Sequence, residues 1–229
     1  ITNDQLKLAS DWFRCNRLTL HPKKTVYVLF NNSKKVLPKL DLCGHLIQRI
    51  RSDAQDENER AFKYLGVYID EKLSFKKHVE YIRGKAQRNL YMIARAKHNI
   101  PIKTKMLLYN ALIRSIIEYG IESWGSACKT TMDSLVKLQK KAIRIIYNKK
   151  YDAHTQELFE KSGILKINEL IVLNRLKLAR AIWYGEAPAS LCQDFTRCSR
   201  DSRTRGSHYC FELKAVKTST LQRLPHYQR

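Results

Sequence analysis

The sequence predicts an α+β fold: a small α/β portion with a few strands, followed by an all-helical bundle and a loosely packed basic tail. Three observations lead to this prediction. The apolar residues recur with a period of about two before Asp70 and of about 3.6 after it. Beyond Pro188 the apolar pattern fades, and Ser, Thr, Arg and Cys dominate. We therefore expect three segments, at residues 1–72, 73–187 and 188–229.

The first segment is predicted to contain one helix and several short strands. Apolar residues recur at helical spacing from Leu6 to Phe13, and Pro22 ends the helix because proline disfavours helical geometry in the residue before it. Residues 25–30 are rich in β-branched and aromatic side chains, which is typical of a buried strand. A weaker alternation over residues 40–47 predicts a strand pair.

A further strand is predicted at residues 62–69, where apolar residues alternate around Gly66. A glycine inside a strand marks a bulge or a close approach of the backbone. The charged segment before this strand, residues 53–60, is predicted to be a solvated loop because it is polar throughout. Its acidic residues are Asp53, Asp56, Glu57 and Glu59.

The second segment is predicted to be helical throughout. Ser74 is expected to cap a helix whose apolar stripe extends from Phe75 to Ile93. Residues 106–120 are apolar nearly all round, which predicts the central buried helix of the bundle. Thr131 is predicted to open a third helix. Further helices are expected after Thr155 and Asn168.

The charge balance predicts a polyanionic partner. The chain of 229 residues carries 43 Lys and Arg against 21 Asp and Glu, a net charge of +22. This surplus far exceeds what solubility requires. No run of about 18 uninterrupted apolar residues occurs, so we expect no contact with a membrane.

The cysteines and the first residues indicate the compartment. Six scattered cysteines without a Cys-x-x-Cys pair are typical of free thiols in a reducing compartment, so we expect an intracellular protein that is not secreted. The chain starts at Ile1 without a signal sequence, and we expect it to be cut there. No metal site is predicted. One set of Cys and His residues is a possible alternative, but its spacing matches no common set of metal ligands. That set is Cys192, Cys198, His208 and Cys210.

Basic residues on the solvent sides of two predicted helices are the candidate nucleic-acid-binding residues. Neutralising phosphates requires Lys and Arg on one surface. The alternative is an ordinary solvated face, but such faces usually mix signs, and no acid occurs between Lys137 and Lys150. The candidates are Lys77, Arg88 and Arg95 on the first helix and Lys137, Lys140, Lys141 and Arg144 on the third.

Several motifs, taken in order, carry a resemblance to a known family. They are Asp11-Trp12, Asn16, Leu18, Leu20, Pro22, Lys24-Thr25, Phe30, residues 62–70 and 73–78, Tyr119-Gly120, Trp124-Gly125, residues 138–146, His154-Thr155, Leu158-Phe159 and residues 164–166. In order and spacing they resemble the reverse transcriptases of non-LTR retrotransposons, particularly the jockey-like elements of arthropods. The resemblance covers about residues 5–185.

The resemblance implies a right-hand polymerase that copies RNA into DNA. The matched region is the part after the catalytic Asp-Asp motif: the end of the palm with the primer grip, a helical thumb, a connector and a basic linker or tail. This part would hold the RNA template and the DNA primer and bind no cofactor itself. Mg²⁺ and deoxynucleotides are expected only in the full-length polymerase. The alternative is a non-catalytic helical module, for nucleic-acid binding or for assembly, derived from such an element.

The resemblance also assigns roles to single residues. Lys24 matches a lysine that is proposed in related polymerases to protonate the leaving pyrophosphate, whereas an exposed lysine at a strand edge is the alternative. His21 stands where the family usually has Asn, which affects the turn before Lys24. The primer-grip hairpin is matched by Lys63, Tyr64, Leu65 and Gly66.

The chain alone is predicted not to extend a primer on an RNA template with Mg²⁺ and deoxynucleotides. Two-metal nucleotidyl transfer needs carboxylates that converge on the metal ions, and the sequence has no Asp-Asp pair. A primer-extension assay on the purified chain checks this expectation, and clear template-dependent extension would contradict it. An upstream reading frame with an acid-pair hairpin favours the polymerase over the non-catalytic module.

Overall fold

The computed structural model describes residues 3–21, 24–30, 39–42, 44–56, 59–193, 195 and 211. Within them the fold is a mixture of helices and short strands, as the α+β prediction required. The strands all precede the long helices, and the described residues fall into two compact units that divide between Phe75 and Lys76.

The described residues of the first unit form one helix and three two-stranded sheets. Its elements are α1 (Asn3–Cys15), β1 (Val26–Val28), β2 (Asp41–Leu42), β3 (His45–Leu46), β4 (Gln48–Ile50), β5 (Phe62–Tyr64) and β6 (Val67–Ile69). Strands β1 and β4 pair in parallel, with Val26 opposite Gln48. The β2–β3 and β5–β6 pairs are antiparallel. Helix α1 and the strand pair within residues 40–47 confirm the sequence predictions.

Two strand predictions need correction. The predicted buried strand at residues 25–30 is only three residues long and half-buried, since β1 pairs with β4 alone in the described part of the chain. Residues 62–69 form a hairpin instead of one bulged strand. Leu65 and Gly66 make its turn with φ angles of 44° and 90°, and two positive φ angles are typical of the tight type I′ hairpin turn.

The buried carboxylate of Asp70 organises the chain after the hairpin. It accepts hydrogen bonds from the backbone N–H groups of Lys72 (3.0 Å), Ser74 (3.1 Å) and Phe75 (2.9 Å) and from the Ser74 hydroxyl (2.9 Å). These bonds hold a segment in which Phe75 has a φ of 53°. The Ser74 hydroxyl thus donates to the Asp70 carboxylate, and the helix begins at Lys76.

The second unit is helical in its described residues. Its elements are α2 (Lys76–Ala96), α3 (Ile102–Tyr109), a π-helical turn (Asn110–Arg114), α4 (Ser115–Glu118), α5 (Ile121–Trp124), α6 (Lys129–Ile146), α7 (Gln156–Ser162), α8 (Ile167–Trp183) and α9 (Ala189–Gln193). Helix α6 begins before the predicted Thr131, and α9 occupies part of the predicted tail. Apart from Phe195 and Phe211, the tail beyond Gln193 lies outside the described residues.

The predicted central helix at residues 106–120 is buried on one side only. Its backbone continues from Ile102 through the π-helical turn to Glu118. Ile113 and Ile117 are fully buried, whereas Leu107 is 67% exposed. The all-round apolar pattern therefore overestimated the burial of this helix.

Gly125 is held in a tight backbone contact beside the buried Trp124. The Trp124 indole N–H donates to the Tyr119 carbonyl at 2.9 Å, which fixes the short helix α5. A Cβ atom on Gly125 would lie 2.5 Å from the Ile121 carbonyl oxygen and 3.2 Å from Cγ1 of Ile171 on α8. Only glycine fits at this position without a shift of the backbone.

Gly125→Ala is expected to lower the free energy of unfolding by about 1–3 kcal/mol, because overpacking forces the backbone apart. Gly84→Ala is the matched control: Gly84 lies inside α2 with nothing within 4 Å of its added Cβ. It should raise the free energy of unfolding by about 0.5–1 kcal/mol through helix propensity. Urea denaturation of both variants measures the difference, and equal effects would contradict this account of Gly125.

Candidate nucleic-acid interface

Helices α2 and α6 pack along their apolar stripes and form the framework of the candidate site. Each helix buries one face and leaves the opposite face in solvent. The buried apolar residues are Val79, Ile82, Ala86, Leu90 and Ile93 on α2 and Met132, Leu135, Leu138, Ala142, Ile143 and Ile146 on α6. The apolar pattern of α6 also predicts Ile145 on this face, but Ile145 is only half-buried.

A groove of about 580 Å³ lies along the seam between α2 and α6. Five cationic side chains line it against a single carboxylate, that of Asp133. The lining residues are Arg83, Gln87 and Leu90 from α2, Thr130, Asp133, Ser134, Lys137, Leu138, Lys140, Lys141 and Arg144 from α6, and Tyr151 from the loop beyond α6. The groove therefore presents an excess of positive charge.

The lysines of the groove are not neutralised within the described part of the chain. The side chains of Lys137, Lys140 and Lys141 are exposed and form no hydrogen bond or ion pair with any described residue. Arg83, across the groove on α2, is in the same situation. Lys and Arg clustered on one face are the electrostatic footprint of a nucleic-acid-binding surface.

Arg144 is the one groove cation held in a fixed position by the described residues. Its Nε–H donates to the Ala153 carbonyl at 2.8 Å, and its guanidinium carbon lies 5.8 Å from the centre of the Tyr151 ring. Tyr151 and Ala153 lie in the loop after α6. This loop turns back over the helix because α6 ends in a Schellman motif. The Lys149 N–H bonds to the Arg144 carbonyl at 2.9 Å, while Asn148 takes a φ of 52°.

A buried lysine stabilises the C-terminal end of α6. Lys105 of α3 is 1% exposed, and its Nζ donates to the Lys97 carbonyl at 3.1 Å and to the Asn148 side-chain oxygen at 3.0 Å. Burial, with a smaller contribution from the Lys97 charge, lowers the pKa of Lys105. Lys105 was not predicted from the sequence, although it lies four residues before the buried Tyr109 and therefore on the same face of α3.

Gln139 faces the core on the side of α6 opposite the lysines. Its amide nitrogen donates to the Tyr109 hydroxyl at 3.0 Å and to the Leu165 carbonyl at 2.9 Å. Its amide oxygen accepts from the backbone N–H of Ile167 at 3.1 Å. These bonds tie α6 to α3 and to the start of α8, which fixes the direction in which the lysines point.

The predicted binding residues on α2 lie away from the groove. Lys77, Arg88 and Arg95 recur on the face opposite the buried stripe, and none of them lines the groove. Arg88 and Arg95 are exposed, whereas Lys77 is half-buried. Arg83 was not predicted, because the candidates on α2 were chosen on the face opposite its apolar stripe. Arg83 lies beside the stripe instead.

The residues singled out by the resemblance lie in the first unit. Lys63, Tyr64 and Leu65 are exposed on the β5–β6 hairpin, and Lys63 Nζ lies 5.6 Å from the centre of the Tyr68 ring. Lys24 is exposed in the turn before β1, where its backbone N–H donates to the His21 carbonyl at 3.0 Å.

No described helix has the length and apolarity to cross a bilayer. No three His, Cys, Asp or Glu side chains among the described residues cluster in a way that could hold a metal ion. The alternative metal set lies mostly outside the described residues, which include only its Cys192.

The chain is similar to RNA-directed DNA polymerases of Drosophila mobile elements. It is 24% identical over 170 residues to the RNA-directed DNA polymerase from mobile element jockey of Drosophila melanogaster, which covers 72% of this chain and 18% of that protein. Against the jockey polymerase of Drosophila funebris, the identity is 22% over 172 residues, covering 73% and 18%. The probable polymerase from transposon X-element of Drosophila melanogaster is 24% identical over 140 residues, covering 60% and 14%.

These similarities confirm the resemblance to reverse transcriptases of non-LTR retrotransposons. The chain spans less than a fifth of the length of each of these relatives. No protein-family model matches the chain, and no solved structure matches it.

Burial raises the pKa of Tyr109, the partner of Gln139, above its ordinary value of about 10. The unfolded chain then loses this proton at lower pH than the folded chain. The contribution of Tyr109 to stability is complete below about pH 10 and is lost as pH rises through the folded pKa. Tyr109→Phe should therefore show a shallower fall in Tm between about pH 9 and pH 11 than the wild type.

Thermal denaturation followed by circular dichroism measures this difference. The exposed Tyr91→Phe is the matched control and should keep the wild-type slope, because Tyr91 is 64% exposed. A Tyr109→Phe variant with the wild-type slope would show that the buried hydroxyl does not contribute to the alkaline transition.

Proposed function

We propose that the chain is the post-catalytic part of a non-LTR retrotransposon reverse transcriptase and that it holds the template–primer duplex. In this proposal residues 1–72 are the end of the palm with the primer grip, residues 73–187 the thumb and connector, and residues 188–229 a basic linker or tail. The observation that carries the proposal is the groove, in which five cationic side chains face a single carboxylate and Lys137, Lys140 and Lys141 form no ion pair with a described residue.

The groove suits the phosphate backbone better than base edges. Lysine ammonium groups are point charges on flexible stems, which neutralise phosphates without reading sequence. Their spacing along α6 puts them on one face, and Arg83 adds a cation from the opposite wall. Binding should therefore be broad in sequence and strongly weakened by salt.

The β5–β6 hairpin supports the primer-grip part of the proposal. Leu65 takes a positive φ at the turn, a conformation that costs a residue other than glycine roughly 1–2 kcal/mol. Backbone strain of this kind concentrates at ligand clamps and functional turns. Leu65 is also 74% exposed at the hairpin tip.

In this proposal the chain positions the nucleic acid and leaves the bond-forming chemistry to the catalytic aspartates of the full-length protein. Mg²⁺ and deoxynucleotides belong to that catalytic part. The exposed Lys24 remains the candidate for protonating pyrophosphate. We expect the protein in the cytoplasm and nucleus.

Charge reversal on the groove tests the proposal. The triple variant Lys137→Glu, Lys140→Glu, Lys141→Glu should leave the fold intact, because the buried face of α6 is unchanged. The slope of log K against log salt for duplex binding should fall by about 0.9 for each phosphate that the variant no longer neutralises. Fluorescence anisotropy at several salt concentrations measures the slope, and circular dichroism checks the fold. Arg144 is left unchanged because it holds the loop.

The matched comparison is the triple variant Lys77→Glu, Arg88→Glu, Arg95→Glu, which makes the same change in charge on the outer face of α2. This variant should change the slope less than the groove variant. A groove variant with the wild-type slope would refute the groove as the binding surface. If the slope of log K against log salt falls in the comparison variant instead, the outer face of α2 binds the duplex.

A further inference from the structure

We propose that Tyr151 and Arg144 form a stacking platform for an unpaired base, so that the groove also binds the single strand that leaves the duplex. This inference rests on the proposed function of the groove and adds a specific ligand to it. The ligand is an unpaired nucleotide of RNA or DNA next to the paired region.

The first observation is the exposure of the Tyr151 ring. At 83% it is the most exposed large hydrophobic side chain in the described part of the chain, and it lies at the wall of the basic groove. The Arg144 guanidinium lies 5.8 Å from its ring centre. Most of the ring surface is therefore open to solvent beside a row of cations.

The second observation is that the platform is held in place. The Nε–H of Arg144 is anchored on the Ala153 carbonyl at 2.8 Å, two residues beyond Tyr151. The turn before Tyr151 is fixed by the left-handed Asn148, whose side chain accepts a hydrogen bond from the buried Lys105. A ring ordered in advance loses less conformational entropy when a base stacks on it.

The chemistry of the site favours an unpaired base. Proteins that bind single strands combine a basic groove for the backbone with aromatic rings on which bases stack. The groove offers both, because Lys140 and Lys141 line it together with Tyr151. Bases inside a duplex are stacked on each other and expose no face to the ring, so the platform should distinguish an overhang from a blunt duplex.

Tyr184 provides a matched control elsewhere in the same unit. It is 62% exposed, and the guanidinium carbon of Arg180 lies 5.5 Å from its ring centre. This pair lies at the end of α8 and does not line the groove. Arg180 also faces the Glu186 carboxylate at 3.9 Å. Tyr184 thus repeats the arginine–tyrosine contact without the row of lysines.

The test compares a blunt duplex with the same duplex carrying a short single-stranded overhang, by fluorescence anisotropy on the full chain. The wild type should bind the overhang duplex more tightly. Tyr151→Ala should weaken binding of the overhang duplex roughly 5- to 150-fold, the range for one stacked base, and change binding of the blunt duplex little. Tyr151→Phe and Tyr184→Ala should behave as the wild type. A duplex whose overhang begins with an abasic nucleotide is a further control. The wild type should bind it as weakly as Tyr151→Ala binds the duplex with the intact overhang.

The outcomes separate this inference from the proposed function. If Tyr151→Ala binds the overhang duplex as the wild type does, the stacking platform is refuted while the groove remains. Equal losses on blunt and overhang duplexes would also refute it, because they would assign Tyr151 a role in supporting Arg144 only. If the wild type does not bind the blunt duplex, the proposed function fails, and the platform fails with it.

Discussion

The side-chain amide of Gln139 is the constraint on which the candidate interface depends. Its hydrogen bonds to Tyr109, to the Leu165 carbonyl and to the Ile167 N–H leave its amide with three partners inside the core. A buried amide without partners would cost free energy, so α6 keeps the rotation that satisfies it. That rotation turns the lysine face of α6 into solvent and toward the groove with α2.

The end of α6 depends on a second buried polar contact. Lys105 binds Asn148, and Asn148 adopts the left-handed conformation that ends the helix and returns the chain over Arg144. The burial of Lys105 is unfavourable for its charged form, which explains its lowered pKa. Two buried polar residues, Gln139 and Lys105, therefore determine the geometry of a groove in which five of the twelve lining residues are cations.

The sequence predicted elements with long, regular patterns and missed features that depend on distant contacts. The lysine face of α6 followed directly from helical periodicity, because apolar and basic residues separate cleanly along it. Arg83, Lys105 and Tyr151 were missed because their roles depend on how helices and loops meet. The bonds from the N–H groups of Ser74 and Phe75 to the Asp70 carboxylate were missed for a similar reason, since they link residues four and five positions apart outside any regular element.

Lysine acetylation footprinting with mass spectrometry tests the central claim, that the α2–α6 groove is the nucleic-acid-binding surface. Lys137, Lys140 and Lys141 should be protected from acetylation when a template–primer duplex binds, and the protection should disappear at high salt. Lys85, exposed on α2 but not in the groove, should react equally with and without the duplex. Protection of Lys85 while the three groove lysines remain reactive would contradict the account.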